Sequence, residues 1–578
     1  MSNSSGLEFR LLSSLVKVFP DEGLTARPWE KGSMLLNEVY SFQVAYRRRP
    51  DDGHLNGNLT YSANSLDEVR VKAVSELSPY MTLRKVETVQ SDLPCYPDHD
   101  EYVLRTEPGP YPDLLLPVQD TLPLSDRWQS LWVTIDLRDK KAEPGHRAVK
   151  QEHVKAKPGC YPVEIAFFAP EGEKLGSPIF HMTVIDCLLP KQTLIVTEWF
   201  YADCLATYYK DEVFSEAHWR RIEQYIKTAV AHGINMILTP LFTVPLDTAV
   251  GGERPTVQLV DVKKHGNEYE FGFDRLKRWV DLCDANGVEY FEFSHLFTQW
   301  GAEHAPKIVA EENGELKKIF GWETDAAGPE YEGFLDRFLP ALVSFIEENG
   351  LEKRSYFHVS DEPQEDHLKS YANASRIVYK HLSGFPVIDA LSSYEFYRRG
   401  LVKRPIPASD HIEPFLENKV PKLWTYYCCG QYRKVSNRFF SMPSARHRIL
   451  GMQLYKYGLA GFLHWGYNFW YTQYSTRPVD PFKETDAGKA FPSGDAFLVY
   501  PGEEGPLESI RLEVFYEALQ DFRALRLLEE LIGREKATAV LDAGLDSPIT
   551  FSEYPRDDEW LLNKREEINL LISKACSY

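Results

Sequence analysis

The chain changes its secondary-structure pattern near residue 190, and this change limits the folds that it can adopt. Before it, short β-rich stretches alternate with turns rich in Pro, Gly and Asp, and helical periodicity is scarce. The clearest of these stretches are 41–46, 131–137, 161–168 and 179–188. Short strands separated by such turns are typical of a sandwich. We therefore predict an N-terminal antiparallel β-sandwich over 1–190, with a charged loop at 140–158.

Beyond Pro190 strands alternate with helices. Ser215 is placed to cap a helix whose apolar residues recur at helical spacing until Gly233. The predicted strands are 193–200, 234–242, 288–294, 354–360, 386–391, 405–412, 422–428 and 461–465. The other predicted helices are 274–286, 334–348, 445–457 and 509–531, with a hairpin at 256–273. Eight strands alternating with helices predict a multidomain α/β protein whose C-terminal (β/α)8-type barrel spans 191–540. A helical tail, 541–578, is expected to pack on the barrel.

Composition excludes several classes of partner. The chain has 578 residues and a formal net charge of -20, which argues against binding nucleic acid or an anionic membrane surface. Its apolar runs are shorter than the roughly 20 residues of a membrane span, and residues 1–10 lack the pattern of a signal peptide. The eight cysteines show neither zinc spacing nor a disulfide framework. We expect reduced cysteines and a cytoplasmic protein.

The most informative motif is the run 356–363, which ends in Asp361-Glu362-Pro363. Proline cannot donate a ladder hydrogen bond, so the fourth barrel strand should stop there with both acids at its carboxyl end. Catalytic residues of parallel barrels lie at that end. Because two adjacent carboxyl groups cannot both ionise freely, one of them is a candidate for a raised pKa and an acid role.

The other late strand ends lack acids. A retaining glycosidase with a protein nucleophile needs a second carboxylate about 5 Å away, yet the strands ending at 424–429 and 464–470 carry none. Substrate-assisted hydrolysis needs only an adjacent acid pair, because the 2-acetamido group of the sugar attacks its own anomeric carbon. Side chains alternate along a strand, so Glu362 shares a face with His358 while Asp361 points away. We assign the general acid/base role to Glu362 and the orientation of the oxazoline to Asp361.

Aromatic residues crowd the last strand end, where a core would favour aliphatic side chains. Rings that carry an N–H or O–H group suit binding to a pyranose. Histidine and asparagine side chains near other strand ends are candidate ligands for hydroxyl or acetamido groups. The predicted substrate-binding residues are Trp199, Asn235, His295, His358, Trp424, Tyr426, His464, Trp465, Tyr467 and Trp470.

Other chemistries have little support in the sequence. The segment 410–413, Asp-His-Ile-Glu, has no recognised metal-ligand spacing and is interpreted as a solvated turn. The chain contains neither a phosphate-binding glycine motif nor a G-x-S-x-G nucleophile elbow. We expect no metal and no cofactor.

Three segments together resemble glycoside hydrolase family 123 and the wider group catalogued as domain of unknown function 4091. They are Asp361-Glu362-Pro363, SHLFTQWGA at 294–302 and GFLHWGYN at 461–468. The resemblance implies a β-sandwich followed by a barrel, with the Asp-Glu pair as the catalytic pair. It also implies an exo-β-N-acetylgalactosaminidase that acts on a carbohydrate with a terminal N-acetylhexosamine and retains configuration through an oxazoline.

Two alternatives remain open from the sequence. The first is a glycosidase of another sugar that inverts configuration by using Glu362 with a remote acid. Candidates for that acid are Glu198, Glu292 and Asp389. The second is a carbohydrate-binding protein that keeps the fold without the chemistry.

Overall fold

The computed structural model describes residues 6–49, 66–138 and 156–576. The predicted charged loop at 140–158 lies outside these ranges except for positions 156–158. The protein is a mixed α/β molecule with several sheets. Among the described residues, no helix is long and apolar enough to cross a membrane.

Two sheets make up the first part of the chain. One has the strand order β1-β3-β8-β5-β6, and the other has the order β2-β11-β9-β4-β7 with β10 paired to β9. Their strands β1 to β11 are, in order, Leu7–Ser13, Lys31–Leu36, Val39–Arg48, Glu68–Val74, Met81–Ser91, Gly109–Pro117, Leu122–Pro123, Gln129–Asp136, Gly159–Phe168, Lys174–Gly176 and Ile179–Leu188. The four stretches singled out in the sequence all fall in these strands.

The two sheets share one hydrophobic core. Phe42 from β3 stacks on Phe180 from β11 with ring centroids 4.2 Å apart, and both are fully buried. One pairing differs from the antiparallel prediction, because β11 runs parallel to β2. Parallel neighbours need a long connection, and these two strands are far apart in the sequence, so turn signals could not reveal the pairing.

Beyond residue 190, eight short strands are paired in parallel. They are β12 (Ile195–Glu198), β13 (Met236–Thr239), β16 (Tyr290–Phe293), β19 (Ser355–Tyr356), β20 (Ile388–Ala390), β21 (Arg404–Ile406), β22 (Trp424–Tyr426) and β23 (Gly461–His464). Single bridges from Phe357 to Val387 and from Ala408 to Tyr426 link the segments around β20 and β21 to their neighbours. Since β23 also pairs with β12, the parallel pairings run in a ring, and all eight carboxyl ends lie on one side.

A small sheet is inserted between ring strands, and β24 (Tyr500–Pro501) pairs with β25 (Pro506–Leu507). The inserted strands β14, β15, β17 and β18 are Asp261–His265, Glu268–Gly272, Ile308–Glu312 and Glu315–Phe320. The first two form the hairpin predicted at 256–273.

Helices follow most of the ring strands. The helices α1 to α12 are Ala202–Tyr209, Glu216–Ala231, Asp274–Ala285, Pro329–Glu348, Leu368–Leu382, Tyr394–Arg398, Glu413–Glu417, Ser444–Arg448, Leu450–Lys456, Ile510–Ile532, Arg534–Asp542 and Asp558–Cys576. The predicted cap of α2 is confirmed, because the Ser215 side chain accepts a hydrogen bond from the amide of His218. Ser509 caps α10 in the same way through the amide of Leu512.

The last helix, α12, joins both parts of the chain. Its buried Arg565 bonds to Glu38 at 2.7 Å and to Asp521 of α10 at 2.9 Å. Cys576 forms a disulfide with Cys187 of β11, so the expectation of reduced cysteines is wrong for this pair. The two cysteines are 389 positions apart, and spacing in the sequence cannot show such a contact.

Candidate active site

The adjacent acids Asp361 and Glu362 follow β19 at the carboxyl side of the strand ring. The amide of Glu362 donates to the carbonyl of Ala390 at the end of β20, at 3.0 Å, and the carbonyl of Asp361 accepts from the amide of Trp300 at 2.9 Å. Glu362 has a φ of 43°. Residues other than glycine rarely adopt this left-handed conformation, and those that do cluster at functional sites. The turn interrupts the alternation of a regular strand.

The two acidic side chains influence each other. Burial and the neighbouring charge of Glu362 hold the pKa of Asp361 well above its usual range. Burial also raises the pKa of Glu362, and the Tyr426 hydroxyl, which donates to Glu362 Oε1 at 2.7 Å, opposes that rise. Groups that interact this strongly titrate as a pair. The loss of a proton from one of these acids therefore depends on the charge of the other.

A hydrogen-bonded network lies beneath Asp361. The imidazole of His358 is 2.6 Å from Glu292 through Nε2 and 3.2 Å from Asp389 through Nδ1, and all three side chains are fully buried. Burial opposes protonation of His358, but the bonds to Asp389 and Glu292 outweigh it and raise its pKa to about 9. His358 is therefore a cation at neutral pH. Its charge lowers the pKa of Asp361 and favours the carboxylate form.

The acids considered for an inverting mechanism already accept hydrogen bonds from neighbouring protein groups. Besides His358, Glu292 accepts the indole N–H of Trp199 at 2.8 Å. Asp389 accepts the amide of Val359 at 3.0 Å and the Tyr371 hydroxyl.

The third of these acids, Glu198, is paired with Arg438, whose Nη1 lies 2.9 Å from both of its carboxylate oxygens. Its side chain is fully buried, as are those of Glu292 and Asp389. These three carboxylates therefore lie inside the ring, with their oxygens bonded to protein groups.

Within the described ranges, two clusters bring metal-ligand types together. In the first, His295 lies beside His358 and Asp389. The His295 and His358 rings are stacked 4.1 Å apart at 22°. Imidazole lone pairs lie in the ring plane, so nearly parallel stacked rings cannot direct them at one ion. Neither nitrogen of the buried His295 has a hydrogen-bond partner, and burial lowers its pKa well below the usual value.

The second cluster contains His232, Glu508 and Glu513. The guanidinium of Arg84 bonds to both of these glutamates. A cation therefore already balances the carboxylates of this cluster, and neither cluster fits a metal ion.

Several of the predicted substrate-binding residues lie below the site or at its edge. Trp199 is buried and contacts the edge of the His295 ring at 5.3 Å. His464 is fully buried, and its Nδ1 accepts from Arg438 at 2.8 Å and from the amide of Gly466 at 2.9 Å. The side chains of Trp199, His358 and His464 are thus buried among other side chains of the ring. Half-buried Trp465 donates to Asp495 at 3.0 Å.

Two predicted residues lie at the opposite, amino-terminal side of the strand ring. Asn235 precedes β13, and its side chain accepts the amide of Val196 at 2.8 Å and donates to the carbonyl of Leu194 at 3.2 Å. Trp424 is the first residue of β22 and lies over Gly461, where a Cβ atom would collide with its ring. It lines a separate cavity of about 370 Å³. Both predictions are wrong, because Asn235 and Trp424 lie where their strands begin, whereas Asp361 and Glu362 lie where strands of the ring end.

Tyr467 and Trp470 are core residues, which corrects the prediction of a sugar platform there. The Tyr467 hydroxyl donates to the carbonyl of Tyr225 in α2 at 3.0 Å. The Trp470 ring packs against Tyr208 and Tyr225 at 5.4 and 5.8 Å. Aromatic crowding alone cannot separate a core from a binding surface.

Three residues near Asp361 were not predicted from the sequence. They are Asp247, Trp300 and Tyr474, which lie in the segments that follow β13, β16 and β23. The Trp300 and Tyr474 side chains are 40% and 42% exposed. Their position after ring strands was a usable signal, because residues in such segments meet at the carboxyl side of the ring.

The sequence and the fold match known proteins. The family description "Glycoside hydrolase 123, catalytic domain" matches residues 199–528. No curated protein matches the chain. A family 123 glycoside hydrolase from Clostridium perfringens, solved in a study of glycolipid glycan hydrolysis, has a TM-score of 0.70 at 15% identity, with 99% of each chain covered.

Two further solved structures are more distant. A Parabacteroides merdae β-glucuronidase has a TM-score of 0.30 at 11% identity, covering 90% of this chain and 52% of its own. A family 5 mannosidase from Rhizomucor miehei has a TM-score of 0.32 at 12% identity, covering 57% and 93%. We draw nothing from these two. The family match spans more than half of the chain and contains the Asp361-Glu362 pair, and the chain belongs to glycoside hydrolase family 123.

Proposed function

We propose that the protein removes a terminal 2-acetamido-2-deoxy-β-hexose, with β-N-acetylgalactosamine favoured, by substrate-assisted catalysis with retention of configuration. Family membership supports a glycosidase that acts on carbohydrates. The Clostridium perfringens relative was solved in a study of glycolipid glycan hydrolysis, and we propose a glycan terminus as the substrate class here. The ring of parallel strands is, in this proposal, a (β/α)8-type barrel preceded by a β-sandwich.

One observation carries the mechanism: the acids at this strand end form an adjacent pair, while the other candidate acids are locked in buried contacts. Inverting enzymes place their two carboxyl groups about 6.5–9.5 Å apart, with a water molecule between them and the sugar. Glu198, Glu292 and Asp389 are fully buried and bonded to Arg438 or His358. They offer no oxygen to such a water.

In the proposed reaction, Asp361 accepts a hydrogen bond from the N–H of the acetamido group. The carbonyl oxygen of that group attacks the anomeric carbon, and Asp361 stabilises the positive charge that develops. The His358 cation favours the charged form of Asp361. The reaction requires Asp361 as the carboxylate and Glu362 as the acid, which gives its proton to the leaving oxygen. Glu362 then takes a proton from the water that opens the oxazoline.

Three aryl glycosides test the function. We expect hydrolysis of aryl β-N-acetylgalactosaminide, slower hydrolysis of aryl β-N-acetylglucosaminide and none of aryl β-galactoside, because only the first two carry the internal nucleophile. NMR spectroscopy should show the β anomer as the first product. Hydrolysis of the galactoside, or an α anomer formed first, would instead favour the inverting alternative. Sugar binding without any turnover would favour a carbohydrate-binding protein.

Tyr426 provides a pH test of the acid. Its hydroxyl lowers the pKa of Glu362, so Tyr426→Phe should raise that pKa and extend activity to higher pH. The expected shift of the basic limb of kcat/KM is about one to two pH units, since a hydrogen bond to a charged group contributes roughly 1.5–3 kcal/mol. Tyr427→Phe is the matched control, because it removes a buried hydroxyl with no hydrogen-bond partner. A shift to lower pH in Tyr426→Phe would contradict the role of Glu362.

A further inference from the structure

We propose that Asp247, Trp300 and Tyr474 form the subsite for the sugar ring that is released, and that Asp247 selects the sugar by accepting hydrogen bonds from its hydroxyl groups. This inference rests on the proposed function, because it assigns the recognition surface of the same site.

The two aromatic rings suit a sugar because they are exposed and fixed. Trp300 and Tyr474 meet edge to face, with centroids 5.7 Å apart at 90°, and are 40% and 42% exposed. By contrast, Tyr467 and Trp470, which were predicted from the sequence as platform rings, are buried in the core. Large rings left in contact with solvent beside an acid provide an apolar face for a pyranose and a polar edge for its hydroxyl groups.

The backbone holds the three residues in unusual conformations. Asp247, Trp300 and Tyr474 have φ values of 41°, 57° and 60°. Such left-handed residues cost free energy and persist where surrounding contacts enforce them, often at ligand-binding sites. Here the Tyr474 amide donates to Asp247 Oδ2 at 3.1 Å, and the Trp300 amide donates to the carbonyl of Asp361. Hydrogen bonds therefore join two residues of the subsite, Asp247 and Tyr474, and join the third, Trp300, to Asp361.

The subsite lies on the Asp361 side of the pair, where the Trp300 amide donates to the carbonyl of Asp361 at 2.9 Å. The charge of Asp247 adds to the effect of burial in raising the pKa of Asp361. Burial also raises the pKa of the Tyr201 phenol, and the charges of Asp247 and Asp361 both add to that rise. For Glu362, burial raises the pKa and the hydrogen bond from Tyr426 lowers it. Since Glu362 serves the leaving group and Asp361 serves the acetamido group, the subsite contacts the sugar that carries the acetamido group.

Asp247 has the capacity to bind hydroxyl groups. It is half-buried, and its Oδ2 already accepts one amide. An ionised carboxylate has about four acceptor positions, so further positions are open to a ligand. Sites built to hydrogen-bond a hydroxyl discriminate strongly against a sugar that cannot make the bond. A change of configuration at C4 moves one hydroxyl relative to Asp247 and tests this contact.

The test compares aryl β-N-acetylgalactosaminide with its C4 epimer, aryl β-N-acetylglucosaminide. Asp247→Asn keeps an oxygen that can accept the Tyr474 amide but removes the charge. We expect it to lower kcat/KM for the preferred epimer, and the ratio between epimers, by about 10- to 100-fold. The loss should be equal for good and poor leaving groups. Exposed Asp366→Asn is the control. Tyr474→Ala and Trp300→Ala should raise KM, whereas Tyr474→Phe keeps the ring and should restore binding.

If the wild type is active and Asp247→Asn leaves the ratio of kcat/KM between the two epimers unchanged, the subsite is overturned. The proposed function then remains intact. If the wild type hydrolyses neither epimer, the proposed function fails. Calorimetric titration with free N-acetylgalactosamine and N-acetylglucosamine then decides the subsite. Binding to the wild type that is lost in Asp247→Asn supports it, and equal binding or no binding overturns it.

Discussion

Replacing Glu362 with Gln should slow the release of poor leaving groups by roughly 10²–10⁴-fold, the usual contribution of general acid catalysis. Activated aryl leaving groups need little protonation, so their release should be affected much less. Gln keeps the size of the side chain and an oxygen that can accept the Tyr426 hydroxyl, so the fold should remain intact. The measurement is kcat/KM across aryl glycosides of graded leaving-group pKa.

Glu365→Gln is the control for this experiment, because Glu365 is exposed and lies three residues along the same segment. It should behave like the wild type. Equal losses on activated and poor leaving groups in Glu362→Gln would count against the acid role.

Replacing Asp361 with Asn should slow all leaving groups together. The substitution keeps the shape but removes the negative charge that faces the developing oxazolinium. Loss of such preorganised stabilisation costs roughly 10²–10³-fold in kcat. A thiazoline that mimics the oxazoline should inhibit the wild type strongly and Asp361→Asn weakly. Failure of the thiazoline to inhibit the wild type would exclude substrate assistance.

The sequence predicted the parts of the fold that depend on local signals. The Ser215 cap, the hairpin at 256–273 and the eight parallel strands each have a short-range pattern of turn residues or apolar spacing, and the structure contains them. The parallel pairing of β2 with β11 and the disulfide from Cys187 to Cys576 join distant segments. Local patterns carry no information about such contacts.

The sequence predicted the two acids of the candidate site together with Tyr426 and His358, but not Asp247, Trp300 or Tyr474. Asp361 and Glu362 were visible because they stand beside a proline directly after an apolar, strand-like run. The sequence does not show which of Trp470 and Trp300 could contact a sugar, because both follow ring strands and have aromatic neighbours. Only the packing shows that Trp470 is buried and Trp300 is exposed. Asp247 carries no local motif, and its relevance depends on the segments that fold beside it.

The ion pairs of Arg565 have a consequence for dividing the chain. The region that matches the family, 199–528, contains Asp521 but neither Arg565 nor Glu38. Expressed alone, it would lose the bond from Arg565 to Asp521 and the packing of α12 against α10, and only Arg448 would remain paired with Asp521. The region that identifies the family is therefore shorter than the region that packs as one folded unit.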